Sequence, residues 1–280
     1  VERPPTGVNT RNDLPLALIV GAGGMGMAAA RRLGERNRVL LADIDEARAE
    51  AGAAALRGDG YDASAIGCDV TDPESVAAFA HHAGTLGPIR AIAHVAGLSP
   101  SMADWQTIMR VNLLGVHHVV DTFLPLAGQG TAVVLISSLA GHMLAEPAQD
   151  VIALLDAPRQ PDFIERLGTA LGATMTPQLA YQLSKYALMR LCRQRASAWG
   201  ARGARIVSLS PGLIATPMGA LEFERQPLKY DLLARTPIQR EGTMLEIADA
   251  IEFLASDRAS FISGTDLLVD GGIAAVLRHG

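Results

Sequence analysis

Tyr181 and Lys185 stand four residues apart in Tyr181-Gln182-Leu183-Ser184-Lys185, and Lys185 is one of only two lysines in a chain with twenty-two arginines. A solvated surface cation in this composition would be arginine, so the exception needs a chemical reason. On a helix, positions i and i+4 share a face, about 6 Å apart along the axis. An ammonium so placed can hold a ribose hydroxyl and lower a phenol's pKa from its usual value of about 10, so that tyrosine exchanges a proton near neutrality. Arginine's broad planar fork cannot act as a compact charge beneath a phenol. The pair alone is also compatible with an ordinary helix surface, and other residues must decide.

A second group of residues suits a dinucleotide. Gly21-Ala22-Gly23-Gly24-Met25-Gly26 joins the apolar run Leu16 to Val20 to Met27-Ala28-Ala29-Ala30. Gly-x-Gly-x-x-Gly between a strand and a helix lets the backbone approach a pyrophosphate at the helix N-terminus. In a chain of 28 glycines that pattern is weak by itself. Asp43 strengthens it, closing the next apolar run twenty-two residues after Gly21, where an acid binds the adenosine ribose hydroxyls. The plainer role for Asp43 is an acid at the start of the helix that follows Ile44-Asp45-Glu46. An acid there repels a 2′-phosphate and Ile44 offers no cation to receive one, so NAD is expected over NADP. Asp69 and Val70 follow the third run. Asp69 either touches the adenine or caps a helix, with Thr71 and Asp72 competing for the cap.

Further residues fall where an α/β sheet places reactive groups. Ser137-Ser138 ends the run Val133 to Ile136. Asn112, in Val111-Asn112-Leu113-Leu114-Gly115, lies within an apolar helix where an amide is costly unless bonded. Pro211-Gly212-Leu213-Ile214-Ala215-Thr216-Pro217 follows the sixth strand. Each has a bland alternative: serines closing a strand, a kinked helix, an ordinary turn.

The elements that position these residues follow from the apolar pattern. Leu16 to Val20, Val39 to Ala42, Ala65 to Cys68, Ile89 to Val95, Ala132 to Ile136, Arg205 to Leu209 and Leu267 to Val269 read as strands. Helical stretches lie between them, among them Met25 to Glu35, Glu46 to Leu56, Glu74 to His82 and Leu183 to Trp199. Near-continuous apolar strands alternating with helices predict an α/β, doubly wound (Rossmann) sheet of seven parallel strands with helices on both faces. Residues 142–177 break the rhythm. Two amphipathic pieces there, Gln149 to Leu155 and Phe163 to Leu171, read as a helical insertion before Tyr181, because so long a structureless loop would be unusual. Residues 1–14 read as a flexible tail and 15–280 as a single domain.

Composition narrows the function. A length of 280 with 49% hydrophobic and 19% charged residues suits one large domain. A net charge of -5 without a basic patch argues against nucleic acid. Cys68 and Cys192 read as reduced core thiols of a cytoplasmic protein. The histidines show no ligand spacing, so no metal is expected. No run approaches a membrane span, and no signal peptide is expected before the fold.

Together the motifs resemble the short-chain dehydrogenase/reductase family, over about Leu16 to His279. Tyr-x-x-x-Lys, the serine, the helix asparagine, the Pro-Gly turn and Val269-Asp270-Gly271-Gly272 occur in the family's order. The resemblance implies that Tyr181 is the general acid/base and that Lys185 binds the nicotinamide ribose. It implies that Ser138 orients the substrate oxygen, that Asn112 holds a water in the proton relay, and that Ile214 and Thr216 grip the carboxamide. The glycine turn is one residue short of the family form, with Val20 where threonine usually stands. Of Asn-Asn-Ala-Gly only Ala96 and Gly97 remain, in His94-Val95-Ala96-Gly97. The helical insertion, Leu179-Ala180-Tyr181, Ala198-Trp199-Gly200 and the stretch Asp270 to Val276 are similar to a branch of the family that acts on steroids and carbonyl compounds. In the family the tyrosine helix commonly packs on its copy in a neighbouring subunit. The insertion should block that surface, leaving a homodimer through the region Met244 to Val269.

The expected activity is an NAD-dependent oxidoreductase interconverting a secondary alcohol and a ketone on a hydrophobic, steroid-sized or smaller substrate. Leu98, Met143, Leu144, Met218, Leu221 and Phe223 would line the cleft, with Met218 to Phe223 as a mobile flap; Leu144 could equally pack the insertion. Two alternatives are a dinucleotide sensor without chemistry, which needs no activated phenol, and an NADPH-dependent acyl-thioester ketoreductase, which Asp43 disfavours.

Overall fold

The computed structural model describes residues 14–217, 219–220, 223 and 228–279. Seven parallel strands form one sheet in the order β3-β2-β1-β4-β5-β6-β9. They are β1 (Leu16–Val20), β2 (Arg38–Asp43), β3 (Ala63–Gly67), β4 (Ile89–His94), β5 (Ala132–Ile136), β6 (Arg205–Pro211) and β9 (Asp266–Val269). A separate two-stranded pair joins β7 (Ile214–Ala215) to β8 (Gly242–Thr243). Every residue of β1, β5 and β6 is buried; β1 and β5 are unbroken hydrophobic runs, apolar on both faces, while β6 also buries Arg205, Ser208 and Ser210. Alternate residues feed two cores: Leu16, Leu18 and Val20 face one, and Ala17 and Ile19 the other.

Helices α1 (Gly24–Gly34) and α2 (Glu46–Gly58) lie on the second core, with the late helix Met244–Ala255. The opposite face carries α3 (Pro73–Leu86), α4 (Trp105–Met109), α5 (Gly115–Phe123) and the long α9 (Pro177–Gly200). Sequence order reverses between β1 and β4, which opens a crevice at their C-terminal ends, where doubly wound folds bind ligands. The expected strands all occur, with boundary shifts of a residue or two; β3 stops at Gly67, so Asp69 lies in the following loop.

The stretch before Tyr181 holds α6 (Leu139–His142), α7 (Gln149–Asp156) and α8 (Phe163–Leu171). Val151, Leu154, Leu155, Phe163 and Leu167 are buried in the same core as α5 and α9. Ionic contacts reinforce the packing. Arg190 of α9 grips Asp156 through two bonds of 2.9 and 2.7 Å, while Asp121 of α5 receives Arg159 and Arg195, each at 2.9 Å. Gly168 lies against the Trp105 ring, 3.2 Å from where a Cβ would stand. The insertion therefore covers the outer side of α4, α5 and α9. The tail expected over residues 1–14 falls almost wholly outside the described residues. Among those described, no helix is long and apolar enough to cross a membrane.

Candidate active site

The glycine turn is shaped by close approach. Gly21 adopts φ +103°, open to glycine, and a Cβ there would stand 2.7 Å from the Ala96 nitrogen. At Gly26 a Cβ would meet the Gly21 carbonyl oxygen at 1.8 Å. These two glycines let β1, the start of α1 and the end of β4 converge at the crevice. Gly23 and Gly24 are exposed, and Gly23, the N-cap of α1, offers no side chain to the first turn. Nothing lies within 4 Å of a Cβ on Gly23. A helix N-terminus with uncapped N–H groups and no acid in its first turn fits a pyrophosphate. Met25 packs against the neighbouring core.

Asp43 is buried at the end of β2 and accepts hydrogen bonds from the backbone of Ala22 (2.8 Å) and Asp45 (3.0 Å). It thus ties the glycine turn to β2 while keeping further lone pairs for ribose hydroxyls. Ile44 beside it is 70% exposed, as a residue awaiting a flat adenine would be. The sequence reading found no cation near Asp43, and here the structure corrects it. Arg48, one turn into α2, lies 3.6 Å from Asp43 and 3.3 Å from Asp45. Its five-residue separation from Asp43 hid this, because helix α2 starts between them and swings the side chain back. Asp69 takes the cap-like alternative: its carboxylate accepts from the amide and the hydroxyl of Thr71, both at 2.8 Å. Asp72 caps α3, and Val70 packs against Gly115 of α5.

At the other end, β5 is stitched to α9. The Lys185 ammonium donates to the Ile136 carbonyl at 2.8 Å, and the buried Ser137 hydroxyl donates back to the Lys185 carbonyl at 2.7 Å. These reciprocal bonds fix the end of β5, with Ser138 next in the chain, against α9 at Lys185, one turn from Tyr181. Lys185 Nζ lies 5.6 Å from the centre of the Tyr181 ring, which is half-buried. Burial pushes the Lys185 pKa down to about 8. Ser138 is less enclosed than Ser137, and its hydroxyl accepts from Ala140 as the N-cap of α6.

Asn112 sits in a π-helical turn, Arg110–Leu114, between α4 and α5, where the Gly115 amide reaches back five residues to Arg110. Its side chain is fully buried and clamps one residue: the oxygen accepts from Leu98 N at 2.8 Å and the amide donates to Leu98 O at 2.9 Å. A Cβ on Gly97 would lie 3.3 Å from that oxygen and 3.5 Å from Lys185 Nζ, so this segment, Lys185 and Asn112 meet. Two neighbours had no sequence signal beyond their type. His94 is buried at the end of β4 with Nε2 unpaired, and burial, then the Lys185 charge, hold its imidazole neutral with a pKa of about 3. Ser184 lies 3.5 Å from the Asn112 amide.

The Pro-Gly turn closes the crevice. Gly212 abuts Asp270, with 2.6 Å between a built Cβ and the Asp270 Cα. Ile214 is buried, and the Thr216 hydroxyl accepts from Gly219 at 2.8 Å. Leu98 and Leu144 pack against the core, Met143 is exposed, and Phe223 meets Tyr230 edge to face at 5.1 Å. Met218, Leu221, Glu222 and Glu224 of the expected flap lie outside the described residues. No group of three metal-ligating side chains occurs among the described residues.

This arrangement can bind a dinucleotide at one end and transfer a proton at the other. The model of the short chain dehydrogenases matches residues 15–148, and one described as enoyl-(acyl carrier protein) reductase matches 168–274. The short-chain dehydrogenase/reductase bsc3 of Alternaria brassicicola is 36% identical over 262 residues, spanning 93% of this chain and 96% of its own. The chain belongs to the short-chain dehydrogenase/reductase family. The galactitol 2-dehydrogenase (L-tagatose-forming) of Cereibacter sphaeroides is 32% identical, over 94% of this chain and 96% of its own. The 3-alpha-hydroxysteroid dehydrogenase/carbonyl reductase of Comamonas testosteroni is 35% identical over 191 residues, covering 65% of this chain and 72% of that enzyme. The crystal structure of gox2181 superposes with a TM-score of 0.76 at 26% identity, over 94% of this chain and 96% of its own. Members of this family are oxidoreductases that use nicotinamide dinucleotides, and the stretch between the two matched regions is that of α7 and the start of α8.

The two serines should separate by experiment. Ser137→Ala leaves the buried Lys185 carbonyl without its donor and should cost about 1–2 kcal/mol of stability. Ser138→Ala removes a cap from a single turn and should cost about 0.5 kcal/mol. Urea unfolding of both variants measures this; the reverse order would contradict the placement of the pair.

Proposed function

We propose that the protein is an NAD-dependent oxidoreductase that interconverts a secondary alcohol and a ketone on a neutral, hydrophobic substrate. The observation that carries the reading is the buried Lys185 ammonium, anchored on Ile136, one helical turn from Tyr181 and stitched to the strand that delivers Ser138. When bound, the nicotinamide supplies the hydride chemistry. Tyr181 gives or takes the proton at the substrate oxygen, and the Lys185 charge favours the phenolate. Ser138 donates to the same oxygen. Asn112, whose amide is spent on Leu98, serves the relay by holding the Gly97–Leu98 segment beside Lys185. Gly21, Gly23, Gly24 and Gly26 receive the pyrophosphate, Asp43 the adenosine ribose, and Ala96, Gly97, Pro211, Gly212, Ile214 and Thr216 enclose the nicotinamide half.

The hydrophobic substrate is supported by the apolar residues Leu98, which follows Gly97, and Met143 and Leu144, which follow α6, and by the hydroxysteroid enzyme among the relatives. Others are named for galactitol, D-threitol and cis-4-hydroxycyclohexanecarboxylate, which sets the comparison. With NAD, androsterone should be oxidised with a higher kcat/KM than galactitol or cis-4-hydroxycyclohexanecarboxylate, read by nicotinamide absorbance. Tyr181→Phe should abolish turnover with NADH binding nearly intact. Best activity on the polyol or the carboxylate would refute the substrate class, and a Tyr181→Phe enzyme with wild-type turnover would refute the mechanism.

NAD preference rests on Asp43. Arg48 does not reverse it, because Asp43 and Asp45 already share its charge. Asp43→Ala removes the ribose acceptor and frees Arg48 toward a 2′-phosphate, so the ratio of kcat/KM for NAD to that for NADP should fall at least about tenfold. A wild type that already favours NADP would overturn the assignment.

A homodimer through the other end of the fold is supported by two features. The insertion covers α5 and α9, while Phe261, before the edge strand β9, is fully exposed with Leu245 and Ile238 also outward. Light scattering should give a dimer, and Phe261→Asp should give monomer. A dimer that survives this substitution would place the contact elsewhere.

A further inference from the structure

The position of the Ser138 hydroxyl is set by whatever holds α6, since a single turn has no stability of its own. Gly141 lies on α9, where a Cβ would stand 2.8 Å from Tyr186 N and 2.9 Å from the Lys185 carbonyl carbon. Leu139 packs with Ile273 and Ala274 of the C-terminal helix, Ile273–His279. The third restraint is polar. His142 Nε2 lies 2.7 Å from an Asp266 carboxylate oxygen, and Arg278 of the C-terminal helix approaches Nδ1 at 3.2 Å. A guanidinium only donates, so Nδ1 carries the lone pair and Nε2–H donates to Asp266.

Asp266 is costly where it stands. Its side chain is 5% exposed at the start of β9, and it also accepts the hydroxyls of Ser208 at 2.5 Å and Ser210 at 3.0 Å from β6. A buried carboxylate persists only with converging donors. The two serines fasten β9 to the neighbouring strand β6; the third donor, His142, ties Asp266 across to α6.

We propose that His142, held between Asp266 and Arg278, is a positioning residue that sets the Ser138 hydroxyl against the substrate oxygen and makes the C-terminal helix part of the reacting geometry. This rests on the role given to Ser138 above. Without the pin, α6 shifts with Ser138 at its head, and a displacement of about 1 Å can cost up to about a hundredfold in rate. Cofactor binding is untouched, because the glycine turn and Asp43 lie on other elements. Glutamine carries both an N–H for Asp266 and a carbonyl for Arg278, so His142→Gln retains the pin and His142→Leu loses it.

The full chain is tested with androsterone and NAD, with NADH binding by fluorescence, and with amide exchange at Ala140, Gly141 and Met143, whose N–H groups bond within α6. His142→Leu should lower kcat about tenfold, leave the NADH Kd within about twofold and speed exchange at those amides; His142→Gln should stay near wild type. In a Ser138→Ala background, His142→Leu should add less than about a twofold further loss, since both changes disable one group. Wild-type kcat and exchange in His142→Leu, or the full loss repeated in the Ser138→Ala background, would overturn the proposal. Wild-type turnover by Ser138→Ala would instead overturn the role of Ser138, and this proposal with it. Failure to oxidise androsterone would refute the substrate class, and amide exchange would still decide whether His142 holds α6.

Discussion

Burying the Lys185 ammonium opposes folding by about 3 kcal/mol, the cost implied by a pKa lowered from 10.5 to about 8. What makes that burial tolerable also organises the site. The Ile136 carbonyl accepts one hydrogen bond from the ammonium, and Ser137 returns a bond to the Lys185 backbone, so the end of β5 and the third turn of α9 are held in fixed register. Ser138 and Tyr181 inherit that register. Gly141 then brings α6 onto the same helix backbone, and Asn112 draws the Gly97–Leu98 segment in from the third side. Reactive side chains from three elements meet because one charge has to be satisfied where they cross.

The cofactor end obeys a steric constraint instead. β1, α1 and β4 meet so closely that Gly21 and Gly26 leave no room for a Cβ. Asp43 adds a polar tie through Ala22 N, which gives the residue proposed as ribose acceptor a structural part as well. Its partner Arg48 shows how local charge balance complicates cofactor choice: the cation is present, and two acids hold it.

The insertion joins these themes to assembly and substrate. Its apolar residues merge with the core under α5 and α9, and two arginines, Arg159 and Arg190, lock it by ion pairs to the outer side of those helices. The outer side of those helices is thereby covered. The same segment lengthens the chain between Ser138 and Tyr181, yet α6 turns back onto α9 before the insertion departs, with Gly141 against the Lys185–Tyr186 backbone.

The sequence by itself determined the elements and marked the candidate residues for chemistry. Unbroken apolar strands, the Gly21–Gly26 turn, Asp43, and tyrosine and lysine four apart are local patterns with local causes: strand burial on both faces, close backbone approach, and helical periodicity. Even the two insertion helices were legible from their apolar spacing. Tertiary structure alone decided which groups share a partner. That Ser137 serves Lys185, that Asn112 clamps Leu98, that Arg48 reaches Asp43, and that His142 bridges Asp266 and Arg278 all depend on contacts between elements distant in sequence or on the direction a helix starts. Hydrogen bonds are selected by position within a few tenths of an ångström. Residue type and spacing leave that open until the sheet and its helices have packed.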